Sequence, residues 1–486
     1  MRRLTMKIQR PLNRLVMITL TLLTLLPSSP VLAGQPTWIE LAPVGSPPNP
    51  VYERKQIHYD AANNRLIVFF PGNPPHNPNP PGNGNEVWIL THANGLGGTP
   101  AWSKLQPTGS PSFSNGLESV VYDTLRNRLI VYGGCSATCS PVLSNVFVLT
   151  HANGLGGTPQ WSEITVTNPQ ARADHQAIYD PTTNRLIVFG GHLAFVDTDK
   201  NDTLALSNAN GLTSPSVWSE VATTGGPPGR RVSATAIHDQ TNNRMVIFGG
   251  QRANTIPTYY NDVWVLSNPN GLGGTPAWQQ LTPLGNLPSP RSSHSTVYDP
   301  KNNRMIIFGG ATGPYPNPNR LGDLWQLSYA NGLGGPPTWT QLSPSGTPPG
   351  PQGYSTAAFD AANQRMILLG GRDQTDTPNN RVWVLLLPKS PVVYLPILLK
   401  PAPVTYLYVK SINTGGINPF EVRDPTNDAL LLSCVVGDNV TQFCGSFKAI
   451  GRYKVVAYPA KCPKKDTTFD DALPGATVTR TVICEG

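Results

Sequence analysis

Residues 298–310 read Tyr298-Asp299-Pro300-Lys301-Asn302-Asn303-Arg304-Met305-Ile306-Ile307-Phe308-Gly309-Gly310. The Asn before the Arg suits a tight turn, because its side chain tolerates the left-handed backbone conformation. The apolar run that follows does not alternate with polar residues, which marks a strand covered on both faces. The pattern recurs at residues 59–72 (YDAANNRLIVFFPG), 122–134 (YDTLRNRLIVYGG), 179–191 (YDPTTNRLIVFGG), 238–250 (HDQTNNRMVIFGG) and 359–371 (FDAANQRMILLGG). Six copies at a near-constant spacing of about 60 residues indicate a repeat architecture, in which each unit buries its apolar surface against its neighbours. Chemistry is then to be sought on the loops.

Within the fourth unit, RRVSATAIHD, NNRMVIFGG, NDVWVLS and AWQQL read as four short strands. Six such units predict an all-β, six-bladed ring of four-stranded sheets. The fourth-strand Trp occurs at Trp38, Trp102, Trp161, Trp218, Trp278 and Trp339. Trp38 precedes the first complete unit, and the sixth unit lacks such a Trp after VWVLLLP. The segment PTWIEL is therefore expected to supply the outer strand of the sixth blade and to close the ring, removing an open sheet edge.

The order Gly-Gly, variable loop, Asn-Asp-Val-aromatic and spaced Trp resembles the kelch repeat, carried by FGG, NDVWVL and AWQQL in unit four and by FGG, GDLWQL and TWTQL in unit five. The resemblance spans residues 34–387 and implies a kelch-type β-propeller of the galactose oxidase central-domain-like superfamily. Unit three departs with NDTLAL, and unit one with Pro71.

The first 33 residues have the layout of an export signal: Arg2, Arg3, Lys7, Arg10 and Arg14, an apolar Leu15–Leu26 run, and small residues at Val31-Leu32-Ala33. Without them, 31 basic residues face 28 acidic ones, so the basic character belongs largely to this segment and nucleic-acid binding is not expected. No later run approaches the roughly 20 apolar residues of a membrane span. The expected location is extracellular, secreted or at the cell surface. Residues 388–403 form a Pro-rich linker. Residues 404–486 alternate like a small β domain, read as a surface-attachment or partner-contact module. In an exported chain the six cysteines read as disulfides: Cys135 with Cys139 locally, and Cys434, Cys444, Cys462 and Cys484 stapling the tail, with three pairings open of which Cys434–Cys444 and Cys462–Cys484 are expected.

Asp and Arg five apart occur in every unit, from Asp60/Arg65 to Asp360/Arg365, and read as hairpin ion pairs. The run ANGLGGTP and its variants join strands three and four. No helix or Lys-Ser/Thr follows, so it is a turn and not a phosphate loop. These turns share one face. The loops between strands two and three share the other and differ completely: GNPPHNPNPPGNG, CSATCSPVLS, HLAFVDTDK, QRANTIPTYY, ATGPYPNPNR and RDQTDTPNN. Different loops on a repeated scaffold are where recognition sits.

Strand one lines the central channel and starts at the variable face. Arg172, Arg231, Arg291 and Gln352 fall at one repeat position near its start, and His175 and His294 three residues further on. Clustered guanidiniums suit a carboxylate or phosphate. These residues are the expected ligand site, for a polar or acidic ligand, glycan or protein. The alternative is a carbohydrate-active oxidase, mutarotase or lyase in the same channel mouth. No catalytic constellation, metal site or cofactor is legible. A copper site like that of galactose oxidase needs a cysteine-modified Tyr, and the propeller cysteines sit together in one loop. Asp197, Asp199, Asn201 and Asp202 alternate as in a calcium loop but lack its Gly and distant Glu.

Overall fold

The computed structural model describes residues 35–388, apart from 49–55, 72–84, 110, 112–115, 136–139, 195–197, 254–256 and 314–317, together with seven strands between Val392 and Glu485. Blades one to five each contribute four consecutive antiparallel strands. Blade four, for example, comprises Thr235–Asp239, Arg244–Phe248, Val263–Ser267 and Ala277–Leu281. Blade six takes Thr356–Asp360, Arg365–Arg372 and Pro378–Leu386 from the end of the repeat region. Its fourth strand is Thr37–Leu41, antiparallel to Pro378–Leu386 with Thr37 opposite Leu386 and Leu41 opposite Val382. No helix occurs among the described residues.

The second strands are buried on both faces, as their unbroken apolar sequence requires. Blades pack by one repeated contact: the fourth-strand Trp of a blade lies against the residue four places after the repeat Arg on the second strand of the preceding one, an aromatic at five junctions and Leu369 for Trp102 of blade one. The pairs are Trp161 on Phe69, Trp218 on Tyr132, Trp278 on Phe189 and Trp339 on Phe248, with ring centroids 4.5–6.3 Å apart. Trp38 sits on Phe308 of blade five at 5.5 Å and occupies the equivalent place for blade six. The glycine pair lets the next blade approach. Gly190 has a positive φ, and a Cβ on it would lie 2.8 Å from the Arg231 carbonyl oxygen, while Gly191 donates its N–H to that oxygen.

The turn reading holds for the backbone: Asn64, Asn127, Asn184, Asn243, Asn303 and Gln364 all have positive φ. The reading of Asp and Arg as an ion pair within each hairpin does not hold. Among the described residues that pair forms only between Asp299 and Arg304, at 2.9 Å. In the other five units both residues reach into the Asn-Gly-Leu turn of the next blade. Asn153 donates through Nδ2 to Asp60 (2.7 Å), and Arg65 donates to the Asn153 carbonyl (2.9 Å). Asn210 joins Asp123 and Arg128 in the same way, as do Asn270 with Asp180 and Arg185, and Asn331 with Asp239 and Arg244. Asn94 of blade one completes the series on Asp360 and Arg365 of blade six. Unit five is the exception for a topological reason. Strands three and four of blade six are not consecutive in the chain, so no such turn stands over Asp299. Arg304 turns back to Asp299 and to Gln364 instead.

The Asp side chains of these latches are buried, between 0 and 7 % exposed. Removing a buried donor therefore costs the desolvation of its acceptor. Asn153→Ala is expected to lose roughly 1–3 kcal/mol of stability. Leu155→Ala, two residues away on the surface, should stay within about 0.5 kcal/mol. Urea unfolding of both variants checks this, and equal losses would remove the latch from the account.

In the tail, Val392–Val393, Lys454–Ala457, Asn418–Arg423 and Leu430–Val436 form one sheet, and Leu407–Lys410, Thr479–Glu485 and Thr441–Lys448 another. The expected export segment, residues 1–33, and the side chains of Cys434, Cys444, Cys462 and Cys484 lie outside the described residues.

Candidate functional site

The first strands surround an axial cavity of 390 Å³, with His58, Ser119, His175, Thr235, His238 and His294 among its polar lining. The sequence places His175 and His294 here, and the structure does too. His175 Nε2 lies 2.7 Å from Ser119 Oγ, and His294 Nε2 lies 2.7 Å from Thr235 Oγ1, each a link to the preceding blade. Burial pushes His58 down to about 4, against the raising effect of its bond to the Val120 carbonyl. Burial, with the Arg172 and His192 charges, pushes His175 down to about 3. At His58, His175 and His238 burial thus favours the neutral imidazole, beside hydroxyls and amides of the lining. Such groups exchange hydrogen bonds with an uncharged ligand and carry no charge to offer an ionic one.

The depression of His175 has a consequence for stability. The unfolded imidazole titrates near 6.5 and the folded one near 3, so between these values the unfolded chain binds more protons. Stability should therefore be full above about pH 7, fall as pH drops through 6, and level off near 3. Asp180, Asp323 and Asp360 are also held low: burial raises each, and their hydrogen bonds, with the Arg291 charge for Asp323, outweigh it. Those carboxylates add pH dependence only below about 4. Between pH 4.5 and 7, His175→Gln should reduce the pH dependence of the urea midpoint, leaving the share that buried His58 and His238 contribute in the same window. An unchanged slope would remove His175 from this role.

Arg172, Arg231, Arg291 and Gln352 are not among the cavity-lining residues, contrary to the expectation of a basic mouth above the histidines. All three guanidiniums are buried, from 0 to 3 % exposed, and each is gripped by an aspartate of its own blade. Arg172 is bidentate to Asp202 (2.9 and 2.8 Å). Arg231 is bidentate to Asp262 (2.7 and 2.9 Å), bonds the Gly249 carbonyl and lies over the Tyr260 ring. Arg291 repeats this with Asp323 (2.6 and 2.8 Å) and Gly309. Their charge is consumed within the blade.

The missed signal is internal to the repeats. The aspartate stands immediately before strand three, in Asn-Asp-Val-Trp and Gly-Asp-Leu-Trp, wherever Arg lies four residues ahead of strand one. In blade six that place is taken by Arg381, which bonds Glu40, and Gln352 stands where blades three to five carry Arg four residues ahead of strand one. Gln352 is 3 % exposed and receives a long 3.5 Å bond from Asn379. The calcium-like run also separates. Asp202 binds Arg172, Asn201 donates to the Pro228 carbonyl, Asp199 accepts from the Ala253 N–H, and Asp197 lies outside the described residues. Cys135 is buried and disulfide-bonded, and Cys139 lies outside the described residues.

The opposite ends of the blades are tied side to side by the variable loops. Ala253 of blade four holds Asp199 of blade three, Tyr259 donates to the Gly313 carbonyl of blade five, and Arg320 of blade five contacts Gln374 and Asp376 of blade six. Below them a backbone chain runs round the channel mouth: Asp174 N–H to Leu117 O, Ser293 N–H to Ser233 O, and Tyr354 N–H to Ser293 O.

Six four-stranded blades with these repeated contacts define a kelch-type β-propeller. The KLHDC2/KLHL20/DRC7 Kelch-repeats domain model matches residues 120–270 and 274–397, more than half of the chain, and the chain belongs to that family. It is 29 % identical over 259 residues to host cell factor 1 of Rattus norvegicus, covering 51 % of this chain and 11 % of that protein. To dynein regulatory complex subunit 7 of Chlamydomonas reinhardtii it is 31 % identical over 132 residues, 27 % of this chain and 10 % of that one. The chain thus spans about a tenth of the length of these relatives. The solved structure of YjhT is similar with a TM-score of 0.49 and 12 % identity, covering 70 % of this chain and 95 % of that one. Among the described residues no helix is long and apolar enough to cross a membrane.

Proposed function

We propose that this propeller is a protein-interaction module that meets its partner with the loops joining strands two and three. One observation carries the reading. The opposite face spends the same Asn, Asp and Arg in five blades on holding the ring together, whereas the variable loops share no residue pattern and stand on a rigid base. The family membership and the curated kelch relatives support it.

The test is a displayed library of random peptides, selected on the whole protein and rescreened on variants. Binders should be lost when Arg252, Tyr259 and Arg372 are replaced by Ala, and kept when Leu96, Leu155 and Leu333 on the other face become Ser. The reverse pattern overturns the assignment of faces. A second reading, glycan binding or turnover in the channel, is favoured by its uncharged polar lining. A glycan array with oxidase, lyase and mutarotase assays tests it, and turnover lost in His175→Ala or His294→Ala would replace the interaction reading.

The proposal includes export after removal of residues 1–33, ring closure by Thr37–Leu41, a Cys135–Cys139 bond, and Cys434–Cys444 and Cys462–Cys484 bonds in the tail. N-terminal sequencing of the mature chain and non-reducing peptide mapping test these. A retained leader or free thiols would refute them.

A further inference from the structure

The ionic capacity that Arg172, Arg231 and Arg291 spend inside their blades is present elsewhere on the variable face. At the junction of blades five and six, Arg320 and Arg372 flank Tyr354, their guanidinium carbons 5.2 and 4.5 Å from its ring centroid. Both cations share one carboxylate. Asp376 accepts from Arg320 Nη2 at 2.6 Å and from Arg372 Nη1 at 3.3–3.4 Å.

Three features mark it as a site, the first of which separates it from the buried scaffold pairs. The first is access: Asp376 is 46 % exposed, against 21–29 % for the side chains of Asp202, Asp262 and Asp323. Its grip on Arg372 is also long for a charge-assisted hydrogen bond. The second is surplus donor capacity. Arg320 Nη1 and, beside it in the chain region of Gly353, Gln352 Nε2 are buried without an acceptor, in residues 6 and 3 % exposed. A buried donor left unpaired is costly and asks for a partner. The third is local construction. Gly353 replaces the Ala173, Val232 and Ser292 of the other blades, and a Cβ there would come within 3.0 Å of Arg320 Nη1. Next to it, Tyr354 takes the positive-φ place that Asp174, Ser233 and Ser293 hold in blades three to five, and there it sets an aromatic ring between the two cations.

We infer that Arg320, Arg372 and Tyr354 form a carboxylate-binding site whose occupant is an acidic side chain of a protein partner, with Asp376 filling the site until the partner displaces it. The inference rests on the interaction reading and locates the cationic contact within it. An incoming carboxylate takes the place of Asp376 between the two guanidiniums. Arg supplies the planar fork that such an acid recognises, and Lys does not.

The experiment is fluorescence anisotropy on the full chain with a labelled octaglutamate peptide, an octaglutamine control and glucuronate as competitor. Asp376→Gly removes the internal carboxylate, and glycine suits the φ of 61° at that position. It should tighten octaglutamate binding about tenfold, and Arg372→Gln should weaken it about tenfold. Octaglutamine should not bind. Glucuronate competing as well as the peptide would support the carboxylate chemistry and overturn its protein source. Unchanged or weaker binding by Asp376→Gly overturns the site, as does equal binding of the octaglutamine control. Should Arg372→Gln fail to fold, Asp376→Asn, which keeps the backbone and removes the charge, must also tighten binding. Library-selected binders that persist in both Asp376→Gly and Arg372→Gln would leave the interaction reading standing while this site fails.

Discussion

Removal of Thr37–Leu41 is expected to abolish the cooperative unfolding transition of the propeller. The segment makes five antiparallel partners with Pro378–Leu386 and continues in parallel register to Ser345 and Gly346 of blade five. Its Trp38 is 1 % exposed and belongs to a core with Val297, Phe308, Leu324, Met366 and Trp383. Truncating a Trp in such a core costs about 3–5 kcal/mol, through lost transfer energy and the cavity left behind. Loss of the whole strand also exposes the Pro378–Leu386 edge, a template for intermolecular pairing. Against a total stability of roughly 5–15 kcal/mol, the combined loss consumes most of what holds the domain folded. Trp38→Ala alone should fold with a lowered urea midpoint. The deletion should aggregate or melt without cooperativity, and a synthetic peptide of residues 35–43 added in excess should restore the transition. A deletion variant with the parental melting curve would mean that the ring does not depend on this strand.

The scaffold was legible because its determinants are local and repeated. A turn that needs a left-handed residue shows Asn before Arg, and a strand between two sheets shows unbroken Leu, Ile and Val. The displaced Trp38 is visible from counting alone. What the sequence hid were partnerships between positions about 30 residues apart or in different blades. Asp60 and Arg65 flank one turn and read as a pair, yet both serve Asn153, 93 and 88 residues away, because the next blade's turn descends between them. Arg172, Arg231 and Arg291 read as an open basic mouth because their partners, Asp202, Asp262 and Asp323, lie a strand and a loop later, 30–32 residues on. The co-occurrence of that Arg with that Asp, and of Gln352 with Arg381, was available in the repeats. Only the pleat direction shows that the two face each other. The cluster around Tyr354 gave no periodic signal, since it joins two loops with nothing in common.

Arg291→Ala is expected to cost about 3–5 kcal/mol, the penalty for leaving a buried carboxylate without its cation. Arg291 is fully buried, and against its own desolvation the partner Asp323 is held low by the hydrogen bond and charge of Arg291, with the Trp325 bond. The truncation would also orphan the Gly309 carbonyl and the Ser289 carbonyl that the same guanidinium satisfies. A ligand-binding arginine behaves otherwise: its loss lowers affinity and leaves the melting temperature nearly intact. The two roles separate in a double-mutant cycle. If the pair is scaffold, Arg291→Met with Asp323→Leu should recover much of the stability lost in Arg291→Ala, since replacing both buried charges by apolar groups is often neutral or better. Arg372→Gln, at the half-open junction of blades five and six, should do the opposite and change octaglutamate binding at little cost in stability. An Arg291→Ala variant that melts like the parent and loses binders selected on the variable face would return Arg291 to the ligand site.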